Sequence, residues 1–329
     1  MNLVITGGAG YIGSVVAECA AAAGYDVTII DNLQEGNAAA VPSGCCLVTA
    51  DFGDDRTLSD VLGASSVDAV IHLAGETTVA TSVSDPAKYF LNNVTKGLTL
   101  LDAMRRHGVP RMIFSSTAAT YGEPRAVPIS EDHPVAPISA YGESKLMFER
   151  CLHWYHRAYG LRAVALRYFN AAGATADRGE DRRDETHLIP LVLSAAQGTR
   201  PSVDVFGTDY STPDGTCVRD YVHVADIARA HLAALDRIDE LGFDVFNVAG
   251  ESGHTVLDVI RVAEQVTGRG IPRVVRARRP GDPEVLVASA AKLRRTLGWM
   301  PRQSSLDAII SSAWEWRRRF PAGYARTAA

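Results

Sequence analysis

The chain has 329 residues, of which 47% are hydrophobic, and its net charge is −5 at neutral pH. This length allows one large domain or two moderate ones, and the acidic balance gives no sign of nucleic-acid or membrane binding. No apolar run approaches the roughly 18 residues that cross a bilayer, and the N-terminus lacks the basic and apolar regions of a signal peptide. The five cysteines lack metal-ligand spacing, so we predict reduced thiols, no metal site and a cytoplasmic location.

The chain opens with a strand over residues 2–6, a glycine-rich turn, a helix over 14–23 and a second strand over 26–30. Glycines at such a turn let the backbone approach a diphosphate, and the helix N-terminus offers free N–H groups. The acid that follows the second strand can bond a ribose hydroxyl and repels a 2′-phosphate, which favours NAD over NADP. A turn with a purely structural role is the alternative. The predicted NAD contacts in this unit are Gly7, Gly10, Tyr11, Ile12, Gly13, Asp31 and Asn32.

Strands and helices continue to alternate beyond this unit. We predict strands over 46–48, 67–75 and 111–114, with helices over 58–62 and 89–106 between them. Alternation with near-continuously apolar strands is typical of a doubly wound parallel sheet, in which ligands bind at the carboxyl ends of the strands. The residues at these ends, with one asparagine of the second helix, are further candidate NAD contacts: Asp51, Phe52, Leu73, Ala74, Gly75, Asn92 and Ser115.

A tyrosine and a lysine stand four residues apart, just before a helical run over 146–159 that ends at Gly160. Side chains at this spacing lie on one helix face, so the phenol of Tyr141 and the ammonium of Lys145 should point the same way. A cation beside a tyrosine favours the phenolate, which can act as a base. Taken alone, the spacing also fits a surface tyrosine and lysine. Thr117, at the end of a central strand, adds a hydroxyl to the same crevice, and we predict that the three are catalytic.

Nine short runs, spread over nearly the whole chain, match one known pattern. They span residues 6–14, 31–33, 115–122, 141–145, 166–170, 206–210, 214–224, 247–250 and 278–283. On these runs the chain resembles the extended short-chain dehydrogenase/reductases and, among them, the UDP-glucose 4-epimerases. The glycine turn and the Tyr–Lys pair are common to the whole superfamily. The run Asp-Gly-Thr-Cys-Val-Arg-Asp-Tyr over 214–221 is narrower and points to the 4-epimerases.

The resemblance implies an α/β fold with a Rossmann domain and a smaller C-terminal α/β substrate domain. We expect the NAD-binding domain over 1–170, with 221–246 returning to it, and the nucleotide-sugar domain over 171–329. It also implies that Tyr141 is the base, that Lys145 holds the nicotinamide ribose and that Thr117 bonds the sugar's 4-oxygen.

Further site residues follow from the same resemblance. It implies a cofactor contact at Tyr168. A helix that begins at Leu188 is expected to cover the nucleotide. Planar guanidinium groups suit a diphosphate, although the two arginines concerned could also form ordinary surface ion pairs. The implied nucleotide-sugar contacts are Thr117, Asn170, Leu188, Phe206, Arg219, Arg279 and Asp282.

Two positions depart from the pattern of the family. Many members carry a lysine shortly after the strand that ends at Gly75, where this chain has Glu76-Thr77-Thr78. One cofactor contact is therefore missing or supplied differently. Some members place a tyrosine against the sugar where this chain has Leu286, which leaves room for an N-acetyl group. The charged segment 177–185 is predicted to be an exposed loop.

We therefore predict an NAD-dependent 4-epimerase of a nucleotide sugar, with UDP-glucose and UDP-galactose as first candidates and a transient 4-keto intermediate. A UDP-N-acetylglucosamine epimerase and a dehydratase of the same fold remain alternatives. A sugar 4,6-dehydratase usually has Asp-Glu after the Ser/Thr, where this chain has Ala118-Ala119. A non-catalytic sensor of nucleotides would be expected to lose Tyr141 or Lys145. By analogy alone, we expect a homodimer through paired helices of the first domain.

Overall fold

A computed structural model of the chain describes residues 1–64, 66–279 and 283–324. The strands are β1 (Asn2–Thr6), β2 (Asp26–Asp31), β3 (Cys46–Thr49), β4 (Ala69–His72), β5 (Arg111–Thr117), β6 (Arg162–Tyr168), β7 (Asn170–Ala172), β8 (Val203–Phe206), β9 (Val218–His223), β10 (Phe243–Val248), β11 (Gly253–Thr255), β12 (Arg273–Arg276) and β13 (Val285–Leu286). The helices are α1 (Tyr11–Ala22), α2 (Asp55–Ala64), α3 (Val79–Ser84), α4 (Pro86–Tyr89), α5 (Lys96–Arg106), α6 (Ala140–Tyr159), α7 (Leu188–Gln197), α8 (Val224–Leu241), α9 (Val256–Thr267), α10 (Ala291–Leu297) and α11 (Leu306–Arg319). Short 3₁₀ turns cover Ala38–Ala40 and Ala118–Thr120, and a π-helical turn covers Phe90–Thr95.

Seven strands form one parallel sheet in the order β10-β6-β5-β4-β1-β2-β3. The predicted doubly wound parallel sheet is confirmed. The strand order reverses at β1, which pairs with β2 on one side and with β4 on the other. In such sheets the crevice at the carboxyl ends of the strands beside this reversal binds the ligand.

Each face of the sheet has its own core, because successive strand residues point to opposite faces. In β1, Leu3 and Ile5 pack into the core that contains α1 and α8, whereas Val4 packs into the core that contains α2, α5 and α6. The near-continuous apolar character of the strands follows from this burial on both sides.

The remaining elements form a smaller unit that follows β6. Here β9 pairs with β7, β11 and β13, while β8 pairs with β12. The helices α7, α9 and α11 pack on a separate apolar core. A buried carboxylate fixes β9 to its surroundings, because Asp220 accepts the backbone N–H groups of Gly250 at 2.8 Å and of Glu251 and Ala288 at 3.2 Å.

The single helix predicted over 89–106 differs from the structure, which has α4, the π-helical turn and α5 in its place. The wider turn carries Asn93, whose side chain accepts from the Glu76 amide at 2.8 Å and donates to the Glu76 carbonyl at 3.0 Å. It also donates to the Ser144 hydroxyl at 2.9 Å. Turns of this kind are frequent at functional sites, and this one ties the chain after β4 to α6.

Within the described parts of the chain, no helix has both the length and the apolar character that a membrane span requires.

Candidate active site

The glycine-rich turn between β1 and α1 has room only for glycine at two of its positions. Gly7 has a φ of +74°, and a Cβ there would lie 2.6 Å from the Ala74 nitrogen. A Cβ on Gly13 would lie 2.1 Å from the Gly7 carbonyl oxygen. Gly10 caps α1 without a side-chain hydrogen bond, so the first-turn N–H groups of the helix are not capped by a side chain. A cradle of this shape fits a diphosphate.

The acid at the end of β2 is held against this turn. Its two oxygens accept the backbone N–H groups of Ala9 at 3.0 Å and of Leu33 at 2.9 Å. Burial raises the pKa of Asp31, and these two hydrogen bonds oppose the rise. The carboxylate therefore lies beside the cradle, where the ribose of a dinucleotide would be expected. Asn32 is exposed and accepts from the Gln34 amide.

Three of the predicted cofactor contacts have partners in the protein. The Asp51 carboxylate pairs with Lys96 at 2.6 Å. Phe52 is buried and packs on the ring of His72, with 5.0 Å between centroids. The Asn92 amide donates to the carbonyl of Lys88, whereas its neighbour Asn93 reaches the strand end. Cofactor contacts at Asp51, Phe52 and Asn92 stay predictions.

The predicted catalytic side chains converge on the carboxyl end of β5. The hydroxyl of Thr117 lies close enough to the phenol of Tyr141 to lower its pKa. The ammonium of Lys145, one turn further along α6, donates to the Ser115 carbonyl at 3.0 Å and lies 4.9 Å from the centre of the Phe114 ring. The helix places both side chains because Ser139 caps its first turn through the Gly142 amide.

The sequence predicts that the ammonium of Lys145 acts on the phenol of Tyr141, but other groups act on this phenol in the structure. Burial raises the pKa of Tyr141, while the hydrogen bond from Thr117 and the positive charge of Arg182 lower it. Burial lowers the pKa of Lys145 to about 8, against the pull of Glu149. The cation that opposes the rise at the phenol therefore comes from Arg182, a residue of the segment between β7 and α7.

A buried ion pair between β6 and α6 lies next to β5. Arg167 on β6 donates to Glu149 on α6 from Nε at 3.0 Å and from Nη2 at 2.6 Å. The Ser116 hydroxyl donates to the same carboxylate. Only 6% of the Arg167 side chain and 4% of the Glu149 side chain are exposed. Nearby, Tyr168 is hydrogen-bonded to His231 at 2.6 Å, and burial raises the pKa of Tyr168.

The charged segment 177–185, predicted as an exposed loop, is partly buried. Only 8% of the Glu180 side chain and 26% of the Arg182 side chain are exposed. Arg182 donates from Nε to Glu180 at 3.0 Å and from Nη1 to the Thr77 hydroxyl at 3.1 Å. The segment is buried because its charges pair with one another and with the neighbouring strand end.

Three side chains at the end of this segment bring possible ligand atoms of a metal ion close together. The atoms of Glu180, Glu185 and His187 lie within 4.8 Å of one another. However, His187 Nδ1 is 3.2 Å from Glu180 and 2.8 Å from Glu185, and Glu180 also holds Arg182. The group is therefore an ion-pair network whose carboxylates already have cationic partners.

This network predicts that His187 is charged at neutral pH. Burial lowers the pKa of His187, but the hydrogen bonds to Glu180 and Glu185 outweigh this effect and raise the pKa from 6.5 to about 9. Because the folded-state pKa is raised, the imidazolium should stabilise the fold fully below about pH 6.5 and lose this contribution as the pH rises through about 9. The difference in unfolding free energy between the wild type and His187→Gln should shrink over this range in chemical denaturation. A difference that stays constant would contradict the charged state.

The predicted nucleotide-sugar contacts lie on the smaller unit and its junction with the sheet. Asn170 donates to the carbonyl of Asp220 at 2.7 Å, and Arg219 is in register with Leu286 on the neighbouring strand. Leu286 packs on the apolar cluster that also receives Ala118, the residue after Thr117. Leu286, one of the two positions that depart from the family pattern, therefore shares an apolar cluster with the residue that follows β5.

Three further predicted contacts lie at the end of the strand pair β8–β12 and on α7. The guanidinium of Arg279 stacks on the ring of Phe206, 3.8 Å from its centre. Leu188 is the first residue of α7 and is partly buried. Asp282 lies outside the described residues.

The sequence interpretation missed Arg182 and Asn93. Asn93 stands beside the predicted contact Asn92, and one helix period alone does not show which of the two faces inward. A signal for Arg182 was present, since residues 1–55 contain no lysine or arginine that could meet a diphosphate. The contact of Arg182 with Thr77 joins residues 105 positions apart, which no local pattern shows.

Residues 3–249 match the NAD dependent epimerase/dehydratase family. The chain is 48% identical over 314 residues to a UDP-glucose 4-epimerase of Corynebacterium glutamicum, with 95% of each chain covered. It is 46% identical over 327 residues to a UDP-glucose 4-epimerase of Lacticaseibacillus casei, covering 98% of this chain and 99% of the relative.

A solved structure has the same overall fold as this chain. The crystal structure of UDP-glucose 4-epimerase from Bifidobacterium longum in complex with NAD⁺ and UDP is 37% identical and superposes with a TM-score of 0.94. The superposition covers 98% of this chain and 100% of that chain.

Proposed function

The chain belongs to the NAD dependent epimerase/dehydratase family, and from this premise we propose that it is an NAD-dependent 4-epimerase that interconverts UDP-glucose and UDP-galactose. The observation that carries the proposal is the convergence of Tyr141, Lys145 and Thr117 at the carboxyl end of β5, where Lys145 donates to the Ser115 carbonyl at 3.0 Å. It joins a base and an orienting hydroxyl at the strand end where a dinucleotide and a sugar would meet.

The cofactor is NAD, and the glycine cradle with Asp31 supports this assignment. We propose that the cradle holds the diphosphate and that Asp31 binds a ribose hydroxyl. Ser115, which accepts from Lys145 through its carbonyl, and Tyr168 complete the nicotinamide side of the site. When bound, NAD supplies the reversible oxidation of the sugar at C4.

The side chains of the protein handle the proton and the sugar oxygen. Tyr141 takes the proton of the 4-hydroxyl and returns one to the 4-oxygen after the 4-keto sugar has turned. Thr117 orients the same oxygen. Because turning requires a loose hold on the sugar, the binding energy must come from the nucleotide diphosphate. We assign that hold to Arg219, Arg279 and Asn170.

The domain organisation, the compartment and the assembly belong to the same proposal. We divide the chain into an NAD-binding domain over 1–170 and 221–246 and a substrate domain over 171–329, a division supported by the place of β10 in the large sheet. The five cysteines form no disulfide bonds, which supports a cytoplasmic location. Exposed apolar side chains at Leu91, in the π-helical turn before α5, and at Trp154 on α6 support a homodimer through paired helices, which light scattering would test.

Leu286 favours a second substrate. Its side chain packs on the same apolar cluster as Ala118, and we propose that it leaves space for the N-acetyl group of UDP-N-acetylglucosamine. A dehydratase is less well supported, because the residues that follow Thr117, over 118–120, carry no acid.

The proposal is tested by incubating the purified protein with UDP-galactose and no added NAD. We expect UDP-glucose to form, because a reaction without net redox change lets the cofactor stay bound. UDP-N-acetylgalactosamine, run in parallel, should also be converted if Leu286 opens the sugar site. No conversion of any of these sugars, even with NAD supplied, would overturn the proposed reaction.

A further inference from the structure

The cofactor cradle lacks a cation of its own. Residues 1–55, which contain the glycine turn, α1 and the acid of β2, include neither lysine nor arginine. Backbone amides and the helix dipole attract an anion, but a diphosphate carries two negative charges, and charged donors bind such oxygens more strongly than neutral ones. Lys96, which lies near the end of β3, is already paired with Asp51. A cation from elsewhere in the chain would add a charged donor to this cradle.

Arg182 lies at the border of the crevice at the carboxyl ends of the strands. It bonds Thr77, just after β4, and its positive charge acts on the phenols of Tyr11 and Tyr141. Tyr11 is the first residue of α1 and Tyr141 lies in the first turn of α6. The end of β4 and the N-termini of these two helices border the crevice at the carboxyl ends of the strands.

Two side chains hold the guanidinium of Arg182, which has further N–H donors for a ligand. Glu180 engages Nε and Thr77 engages Nη1, whereas arginine has five N–H donors. With 26% of its side chain exposed, Arg182 is accessible to a ligand. Thr77 is also one of the positions where the sequence departs from its family.

We propose that Arg182 is a binding residue for the diphosphate of the dinucleotide, with Glu180 and Thr77 as positioning residues that hold its guanidinium. The inference rests on the proposed function, since it takes NAD as the cofactor. It also links the two ligands, because Glu180 joins Arg182 to His187, which directly precedes the α7 residue assigned to the nucleotide sugar.

The test measures how tightly the protein retains NAD, without reference to turnover. Wild type, Arg182→Gln and Arg183→Gln are purified, NAD is removed, and the dissociation constant for added NAD is measured by calorimetry. Loss of a charged hydrogen bond should weaken binding about 10- to 100-fold in Arg182→Gln. Arg183→Gln removes the same charge from the next, exposed residue and should bind NAD as the wild type does.

Two more variants separate binding from a structural role. Arg182→Lys keeps the charge but not the planar fork, so it should recover part of the lost affinity. Thr77→Val removes only the hydroxyl that positions Nη1, and its effect should largely vanish in the Arg182→Gln background. Equal melting temperatures of the NAD-free proteins would show that the segment still folds.

The inference is overturned if Arg182→Gln, or Thr77→Val should Arg182→Gln fail to fold, binds NAD as tightly as the wild type. It is also overturned if Arg183→Gln loses as much affinity, since the effect would then be one of net charge. Failure of the proposed function looks different: the wild type would bind NAD but convert no UDP-sugar, and the NAD affinities of the variants would still decide the role of Arg182.

Discussion

Tyr141→Phe should lose 4-epimerase activity by about 10²- to 10⁴-fold, the range that positioned acid–base groups contribute. The substitution removes the oxygen to which we assign the proton transfer, while the ring and its edge contact with Tyr89 are kept. We therefore expect an unchanged fold and unchanged NAD binding. The measurement is the rate of UDP-galactose conversion, with NAD content and the melting temperature determined on the same samples.

A matched control lies on the same helix. Tyr155→Phe also removes a phenol oxygen from α6, but that oxygen bonds Asp102 at 3.1 Å, away from the end of β5. It should turn over substrate at the wild-type rate. Retained turnover in Tyr141→Phe would remove this tyrosine from the mechanism and leave the proton to another group.

Glu149→Ala should destabilise the protein by about 3–5 kcal/mol, the usual cost of removing one partner of a buried ion pair. The change leaves the guanidinium of Arg167 charged, almost fully buried and without its carboxylate, and it deprives the Ser116 hydroxyl of its acceptor. The loss is read from the unfolding free energy in urea. Because Ser116 stands between Ser115 and Thr117, activity should fall as well.

The control is an exposed ion pair of the same type. In the pair Arg237–Glu240, 47% and 64% of the side chains are exposed, and such pairs contribute about 0–1 kcal/mol. Glu240→Ala should therefore change the unfolding free energy by less than about 1 kcal/mol. Similar losses in both variants would mean that burial does not set the strength of the Glu149–Arg167 pair.

Local patterns were sufficient to predict the parts of the fold that local interactions decide. The strand, glycine turn, helix and strand over residues 2–31 match the structure closely, because apolar periodicity and two sterically required glycines define them. The end of α6 at Gly160 follows from that residue's positive φ of 74°. The parallel arrangement of the large sheet follows from the alternation of apolar strands and helices.

What the sequence did not show depends on contacts between distant segments. The π-helical turn carries Asn93, which hydrogen-bonds Glu76. The burial of 177–185 depends on the hydrogen bond between Arg182 and Thr77. The pairing of β7 with β9 likewise joins Asn170 to Tyr221. Each of these requires the folded chain, since the partners share no helix or strand period.

The return of β10 to the edge of the large sheet has a consequence for how the protein is made on the ribosome. Val164 and Leu166 of β6 share their core with residues of α8 and β10, among them Ile227 and Phe246. These partners are synthesised only after β7, α7, β8 and β9. A nascent chain that ends near residue 170 therefore carries an unpaired strand edge and an uncovered apolar face, and the core on this face of the large sheet is completed only after most of the chain has emerged.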